Sequence, residues 1–287
     1  MFLAQIPEQN IRLSHDGGIQ RPTLVGGGLH VLNPRIETAV RLQDEPVLIN
    51  RAKKEIAAGA QALAINLGPG KKMAESTPWV VHTLARAVDV PLFLSAGITA
   101  MDGVLEKYGA RIIINAVTAD PDTLADHFEI AGRHGTGLVV LLVKPGLVPT
   151  GTHARLQLAS EVITRALETD FPLHQLYLDP VITCRPDPIA LAISRGRPDI
   201  GPVLETLAFI RDPELRIKTI VALNNWSLGL SSRIGSAVHG RMLHLLAGAG
   251  LDAVILNCLD NSLMQAARKT ADGHAPEDRD DCRHRLQ

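Results

Sequence analysis

Eight short hydrophobic segments, each closing on a small or polar residue and each followed by a helix-like stretch, run through the chain from Leu24 to Leu256. They are Pro22–Gly26, Ala62–Leu67, Pro91–Ser95, Ala110–Asn115, Gly137–Val143, Gln175–Asp179, Lys218–Leu223 and Ala253–Asn257. A strand that is followed every time by a helix can pair with the next strand only in parallel, through a crossover. Eight such units close into a ring more readily than they lie open, so the expected fold is α/β, a single-domain (β/α)8 TIM barrel. A barrel of this kind gathers the C-terminal ends of its strands on one rim, where function collects. Here those ends present Asn66, Ser95, Asn115, Lys144, Asp179, Asn224, Asn225 and Asn257.

The periodicity supports the division into strands and helices. Val47, Ile49, Ala52, Ile56 and Ala60 keep a three-to-four-residue spacing, and Asp44 ahead of Pro46 makes a helix start that should end at Gly59. Ala62-Leu63-Ala64-Ile65 is then continuous and short, as in a strand covered on both faces. Residues 1–21 read as an N-terminal extension, 22–271 as the barrel and 272–287 as a disordered polar tail.

Charged residues make up 21% of the 287 and the formal net charge is −1, which leaves no basic footprint for nucleic acid. The longest apolar run, Leu138 to Val143, is far too short to span a bilayer, and the opening residues carry no secretory pattern, so a cytoplasmic location is expected. Cys184, Cys258 and Cys282 show neither disulfide nor zinc spacing, and no metal is expected.

Several tempting motifs fail on spacing. Gly68-Pro69-Gly70-Lys71-Lys72 lacks the outer glycine and the hydroxyl residue of a phosphate loop, with Ile65 and Lys72 in their places. Gly26-Gly27-Gly28 meets Val31 where a dinucleotide fingerprint needs glycine, and reads as a tight turn or a close-approach wall of the pocket. His82, His127, His134, His239 and His244 fall in helix patterns outside the barrel, while His30 and His153 lie in loops on the functional rim. No serine elbow or cysteine nucleophile is indicated. What remains is a rim rich in asparagine with one carboxylate. Amides both donate and accept, and a carboxylate accepts twice, so Asn66, Asn115, Asn225 and Asp179 suit the edge of a nitrogen heterocycle. Each asparagine could instead tie down its own loop.

At these residues the chain resembles the pterin-binding barrel family, and most of all the methyltetrahydrofolate–corrinoid protein methyltransferases. Ala60-Gln61-Ala62-Leu63-Ala64-Ile65-Asn66-Leu67-Gly68-Pro69 resembles the family's A-x-A-L-D-x-N-x-G-P, and Ile113-Ile114-Asn115 its I-N-S/A strand end. Leu176-Tyr177-Leu178-Asp179-Pro180 resembles L-Y-I-D-P, and Ala222-Leu223-Asn224-Asn225-Trp226-Ser227, with Arg233 downstream, resembles G-L-S-N-V-S and its later arginine. The resemblance implies that Asp179 and Asn115 hold the amino-pyrimidine edge of a reduced pterin such as tetrahydrofolate. Asn66, Ser95 and Arg233 would complete the binding set, and Asn225 would act at N5 as the catalytic residue. It further implies a methyltransferase of one-carbon metabolism that exchanges the N5-methyl group with the corrinoid (cobalamin) of a partner protein, and a homodimer whose outer helices use Leu243, Leu245, Leu246, Leu263 and Met264. Where the family has G-E-R-x-N on its first strand, this chain has Gly26-Gly27-Gly28-Leu29-His30; Ala64 and Ser95 replace two rim aspartates. Two alternatives therefore stay open: a non-catalytic pterin-binding or corrinoid-partner subunit, and another pterin-dependent enzyme of the dihydropteroate synthase-like superfamily.

Overall fold

The computed structural model describes residues 21–68, 70, 75–97, 101–149, 151–182, 200–211, 214–223 and 232–273. The strands are β1 (Thr23–His30), β2 (Ala62–Asn66), β3 (Leu92–Ser95), β4 (Ile112–Thr118), β5 (Gly137–Leu141), β6 (Leu176–Asp179), β7 (Lys218–Ala222) and β8 (Ala253–Leu256). They pair in chain order, all parallel, and β1 closes on β8 through Thr23 opposite Ala253 and Gly26 opposite Leu256. The expected (β/α)8 barrel is therefore the fold. Among the described residues the outer ring consists of α1 (Pro34–Leu42), α2 (Glu45–Ala58), α3 (Thr77–Ala87), α4 (Asp102–Tyr108), α5 (Leu124–Arg133), α6 (Thr152–Glu168), α7 (Gly201–Ile210), α8 (Ser232–Gly248) and α9 (Asn261–Ala271). None of these helices is long and apolar enough to cross a membrane.

Strand alternation splits the apolar residues into two layers. Leu63, Ile65, Leu92, Leu94, Leu138, Val140, Leu176 and Leu178 point outward and pack under the helices. Val25, Ala62, Ala64, Phe93, Val139, Ile220 and Ala253 point inward and fill the barrel, with Ile113, Tyr177 and Ile255 packed against them. Phe93 meets Tyr177 edge-on at 5.6 Å between ring centres, and Lys218 places its ammonium 5.0 Å above the Tyr177 ring at the N-terminal end of the barrel. At the same end Asp252 Oδ2 accepts from the Thr219 backbone N–H (2.7 Å) and hydroxyl (2.9 Å), which fastens β7 to the start of β8.

Local chemistry fixes the helix starts. Asp44 caps α2 by accepting from Val47 N–H at 3.2 Å, and Gly59 ends that helix at φ 118°, as the sequence predicts. The structure adds α1, which the sequence reading leaves out: Asn33 accepts from Arg35 N–H at 3.0 Å and Pro34 opens the helix. Asp260 caps α9 through Ser262 and Leu263.

Three expectations are corrected. The triple glycine is neither a turn nor a pocket wall, because β1 continues through it as a strand with a shift of register, and Gly26 and Gly28 face α2. The space their missing side chains leave is filled by the fully buried Glu55 carboxylate, which pairs with Arg51 at 2.5 Å and accepts from Gly28 N–H at 3.2 Å. Strand β5 stops at Leu141, and Lys144 pairs instead with Leu147 in a short reverse turn. Finally, Leu243, Leu246, Leu263 and Met264 are not available for self-association: they are buried between helices and barrel, and of the five residues named only Leu245 is exposed. The remainder of the N-terminal extension, residues 1–20, and of the tail, residues 274–287, lies outside the described residues.

A β-carbon at Gly28 would lie 1.8 Å from Arg51 Nη2 and 1.9 Å from Glu55 Oε1, so Gly28→Ala must break the buried pair. The expected cost is about 3 kcal/mol of folding stability, read from urea denaturation, and a loss below about 1 kcal/mol would show that the pair can move aside.

Candidate functional site

The inward positions at the C-terminal ends of the strands form a polar ring above the apolar floor. Asn66 is level with Ser95 across β2 and β3. On β4, Asn115 stands two residues beyond the floor residue Ile113, and on β6 Asp179 stands two beyond Tyr177, so strand alternation turns both inward. A fifth member arrives by an irregularity. Between Gly26 and Leu29 the register of β1 against β2 shifts by one residue, so Leu29 lies opposite Ile65 on the outer face and His30 opposite Asn66 on the inner face. A second register shift, between Asn115 and Val117, brings Thr118 level with Leu141 and so onto the inner side of the mouth.

Each member has part of its hydrogen-bonding capacity committed. Asn66 Oδ1 accepts from Gly68 N–H at 2.9 Å, which leaves its amide NH2 as the group offered. The Ser95 hydroxyl donates to the backbone carbonyl of Asn115, and the Asn115 side-chain amide donates back to Ser95 Oγ at 3.5 Å. Ser95 is thus the brace of Asn115. His30 Nδ1 accepts from Leu32 N–H at 3.0 Å, so the proton of the neutral ring sits on Nε2, a free donor; burial holds this imidazole below its ordinary pKa.

Among the described residues Asp179 is the carboxylate of the ring. It is 8% exposed, and its Oδ1 accepts from Val181 N–H at 2.7 Å, across a turn in which Val181 takes the left-handed φ of 58°. That conformation costs a β-branched residue on the order of 1–3 kcal/mol. Arg155, buried on α6, donates from Nε to the Pro180 carbonyl at 3.0 Å, immediately behind the turn. Burial pushes the Asp179 carboxyl up to about 7, against a smaller downward pull from the Val181 N–H.

Other expected rim residues point elsewhere. Lys144 turns to Glu161 on α6 at 2.6 Å. Asn257 is exposed and ties its own loop through Leu259 N–H at 3.1 Å, and His153 is exposed in the first turn of α6 rather than in a loop. Asn224 and Asn225 lie outside the described residues, as does the side chain of Arg233. Cys258 is buried, and burial first, then Glu55, lifts its thiol to about 12 against the opposing pull of Arg51, so it stays protonated. Among the described residues no group of three or more metal-ligating side chains forms. His30 and Arg155 are the residues sequence reading undervalues. The glycine run before His30 was the available signal of a bulge, whereas nothing local to Arg155 reveals what it touches.

No family model matches the sequence. Solved structures share the fold. The 7,8-dihydropteroate synthase from Vibrio fischeri superposes with a TM-score of 0.63 at 11% identity, over 92% of this chain and 95% of that one. The Xanthomonas albilineans dihydropteroate synthase with 4-aminobenzoic acid gives 0.61 at 17% identity, over 87% and 91%. The Yersinia pestis enzyme with a pterine–sulfa conjugate gives 0.60 at 14%, over 87% and 93%.

The folded chain holds the Asp179 proton to higher pH than the unfolded chain does, so the contribution of Asp179 to stability is fullest below about pH 4 and is lost as pH rises from 3.8 towards about 7. The loss amounts to on the order of 4 kcal/mol above that window. Asp179→Asn keeps the acceptor for Val181 and removes the charge. It should match the wild type in urea stability near pH 4 and exceed it by a few kcal/mol at pH 8; equal stability at both pH values would mean that the carboxylate is solvated.

Proposed function

We propose that the mouth of the barrel binds a reduced pterin, in the manner of the dihydropteroate synthase-like superfamily. The observation that carries this reading is a buried carboxylate kept at a cost in stability, with one oxygen committed to its own turn and set in a ring of amides and one imidazole donor. A reduced pterin carries two adjacent donors on its amino-pyrimidine edge, and an ionised carboxylate is their complement. Asn115, held by Ser95, Asn66 through its free NH2, and His30 through Nε2–H would meet the acceptors of the ring. The dihydropteroate synthases that share the fold include one with a pterine–sulfa conjugate and one with 7,8-dihydropteroate, which agrees with a pterin as the class of ligand.

For the reaction, the ordered segments through Asn66, Asn115, Asp179 and Asn225 favour methyl exchange at the pterin N5 with a corrinoid protein over a binding-only role. The corrinoid, carried by the partner, would supply the cobalt(I) nucleophile. This chain's share is to orient the pterin, exclude water and stabilise charge at N5 through Asn225. Ala64 and Ser95, in place of two aspartates, leave Asp179 to anchor the ring, so a pterin-binding subunit is the second reading.

Calorimetry with tetrahydrofolate and methyltetrahydrofolate should detect binding that Asp179→Ala weakens by about 100-fold, the scale of losing two bonds to a charge. Because donors on the ligand select the ionised carboxylate, affinity should rise roughly tenfold from pH 6 to pH 7.5. Unchanged affinity in the variant, or a flat pH profile, would remove Asp179 from the site. With a corrinoid protein as acceptor, Asn225→Ala should lower turnover by about 100-fold and leave affinity within a few-fold; binding without turnover by the wild type would select the binding subunit.

A further inference from the structure

We infer that Arg155 is a positioning residue for Asp179, acting through the peptide group between Pro180 and Val181; this rests on the proposed pterin reading only for its consequence in binding. The two hydrogen bonds on either side of that peptide belong to one rigid plane. Arg155 Nε grips its oxygen end at 3.0 Å, and Asp179 Oδ1 grips its hydrogen end at 2.7 Å. The orientation of the plane therefore sets where the carboxylate rests.

The present orientation of the plane carries a backbone cost. Val181 sits at φ 58°, a left-handed conformation disfavoured for a β-branched side chain, and rotating the peptide would return it to negative φ. Such a rotation would aim the carbonyl rather than the N–H at the carboxylate. Arg155 opposes it from behind, and it is 5% exposed on α6, so its guanidinium is held in place by packing. A guanidinium is costly to bury, and an apolar side chain could fill the same space beside Leu156 and Ala159. At the Pro180 carbonyl Arg155 is a charged donor, a stronger hold than a neutral donor gives. Among the described residues the neighbouring strands place no competing charge at that height: β5 offers Leu141, and on β7 Lys218 stands against Tyr177 at the opposite end of the barrel.

The test is a ¹³C carboxyl NMR titration of Asp179, which needs no ligand, beside pterin calorimetry. In Arg155→Met the Val181 N–H should be lost, so the Asp179 midpoint should move up from its wild-type value, and pterin affinity should fall about tenfold, the worth of one hydrogen bond. Arg155→Lys, which keeps one charged donor, should hold both near wild type. The decisive variant is Arg155→Met with Val181→Gly. Glycine occupies left-handed φ without penalty, so Asp179 alone can then hold the plane, and midpoint and affinity should return to within about threefold of the wild type. An Arg155→Met protein with native circular dichroism and an unmoved midpoint overturns the assignment, as does a moved midpoint that Val181→Gly leaves uncorrected. If Arg155→Met does not fold, Arg155→Gln replaces it with the same expectations. Absence of any pterin binding by the wild type would sink the ligand reading, while the titration would still decide the role of Arg155.

Discussion

Closure of eight parallel strands with strict side-chain alternation is the constraint on which everything else depends. Once β1 pairs with β8, every strand has one face toward the helices and one toward the barrel axis, and no polar side chain can change sides without changing register. Ala64, Phe93 and Tyr177 sit one inward step below Asn66, Ser95 and Asp179, so the same alternation that builds an apolar floor builds the polar ring above it. The sole route to a different facing is a bulge. On β1 it brings His30 inward, and it coincides with glycines that let Glu55 and Arg51 approach the strand from outside.

That constraint explains what could be read from the chain. The strands are legible because a strand buried on both faces is a short continuous apolar run, and Asn66, Ser95, Asn115 and Asp179 are legible because each closes such a run. Helix α2 is announced by Asp44 and Gly59. Helix α1 has equally local signals in Asn33 and Pro34, but it falls between the first strand and Asp44, a stretch the sequence reading leaves unassigned. The remainder is not local. Whether His30 faces inward depends on the register of another strand, Lys144 on the distance to Glu161 across a helix, and Arg155 on a carbonyl 25 residues away. Leu243, Leu246, Leu263 and Met264 look like surface on a pattern alone, because a helix stripe does not say which neighbour covers it.

The site is also where the fold gives up stability. A carboxyl that would titrate near 3.8 in water is held near 7, above a left-handed valine and in front of a buried guanidinium. Each of these is unfavourable alone, and each is tolerated because the surrounding β5–β6 pairing and α6 packing leave the turn no alternative. A ligand that donates to Asp179 relieves the largest of them, since it stabilises the charged form that burial penalises. The unfavourable elements of the turn are therefore gathered at the candidate site.

Ala64 and Ser95 each fit the place that the alternation gives them. Ala64 belongs to the floor with Phe93 and Val139, where a carboxylate would be left among apolar side chains without a donor. Ser95 donates its proton to the carbonyl of Asn115, a bond that an ionised aspartate cannot make and would oppose. Changing Ser95 to aspartate thus sets an acceptor against an acceptor and loosens Asn115, instead of simply adding charge to the pocket. The serine and the alanine are consistent with each other: among the described residues they leave Asp179 as the carboxylate of the polar ring, with Asn115 braced beside it rather than opposed by a second acid.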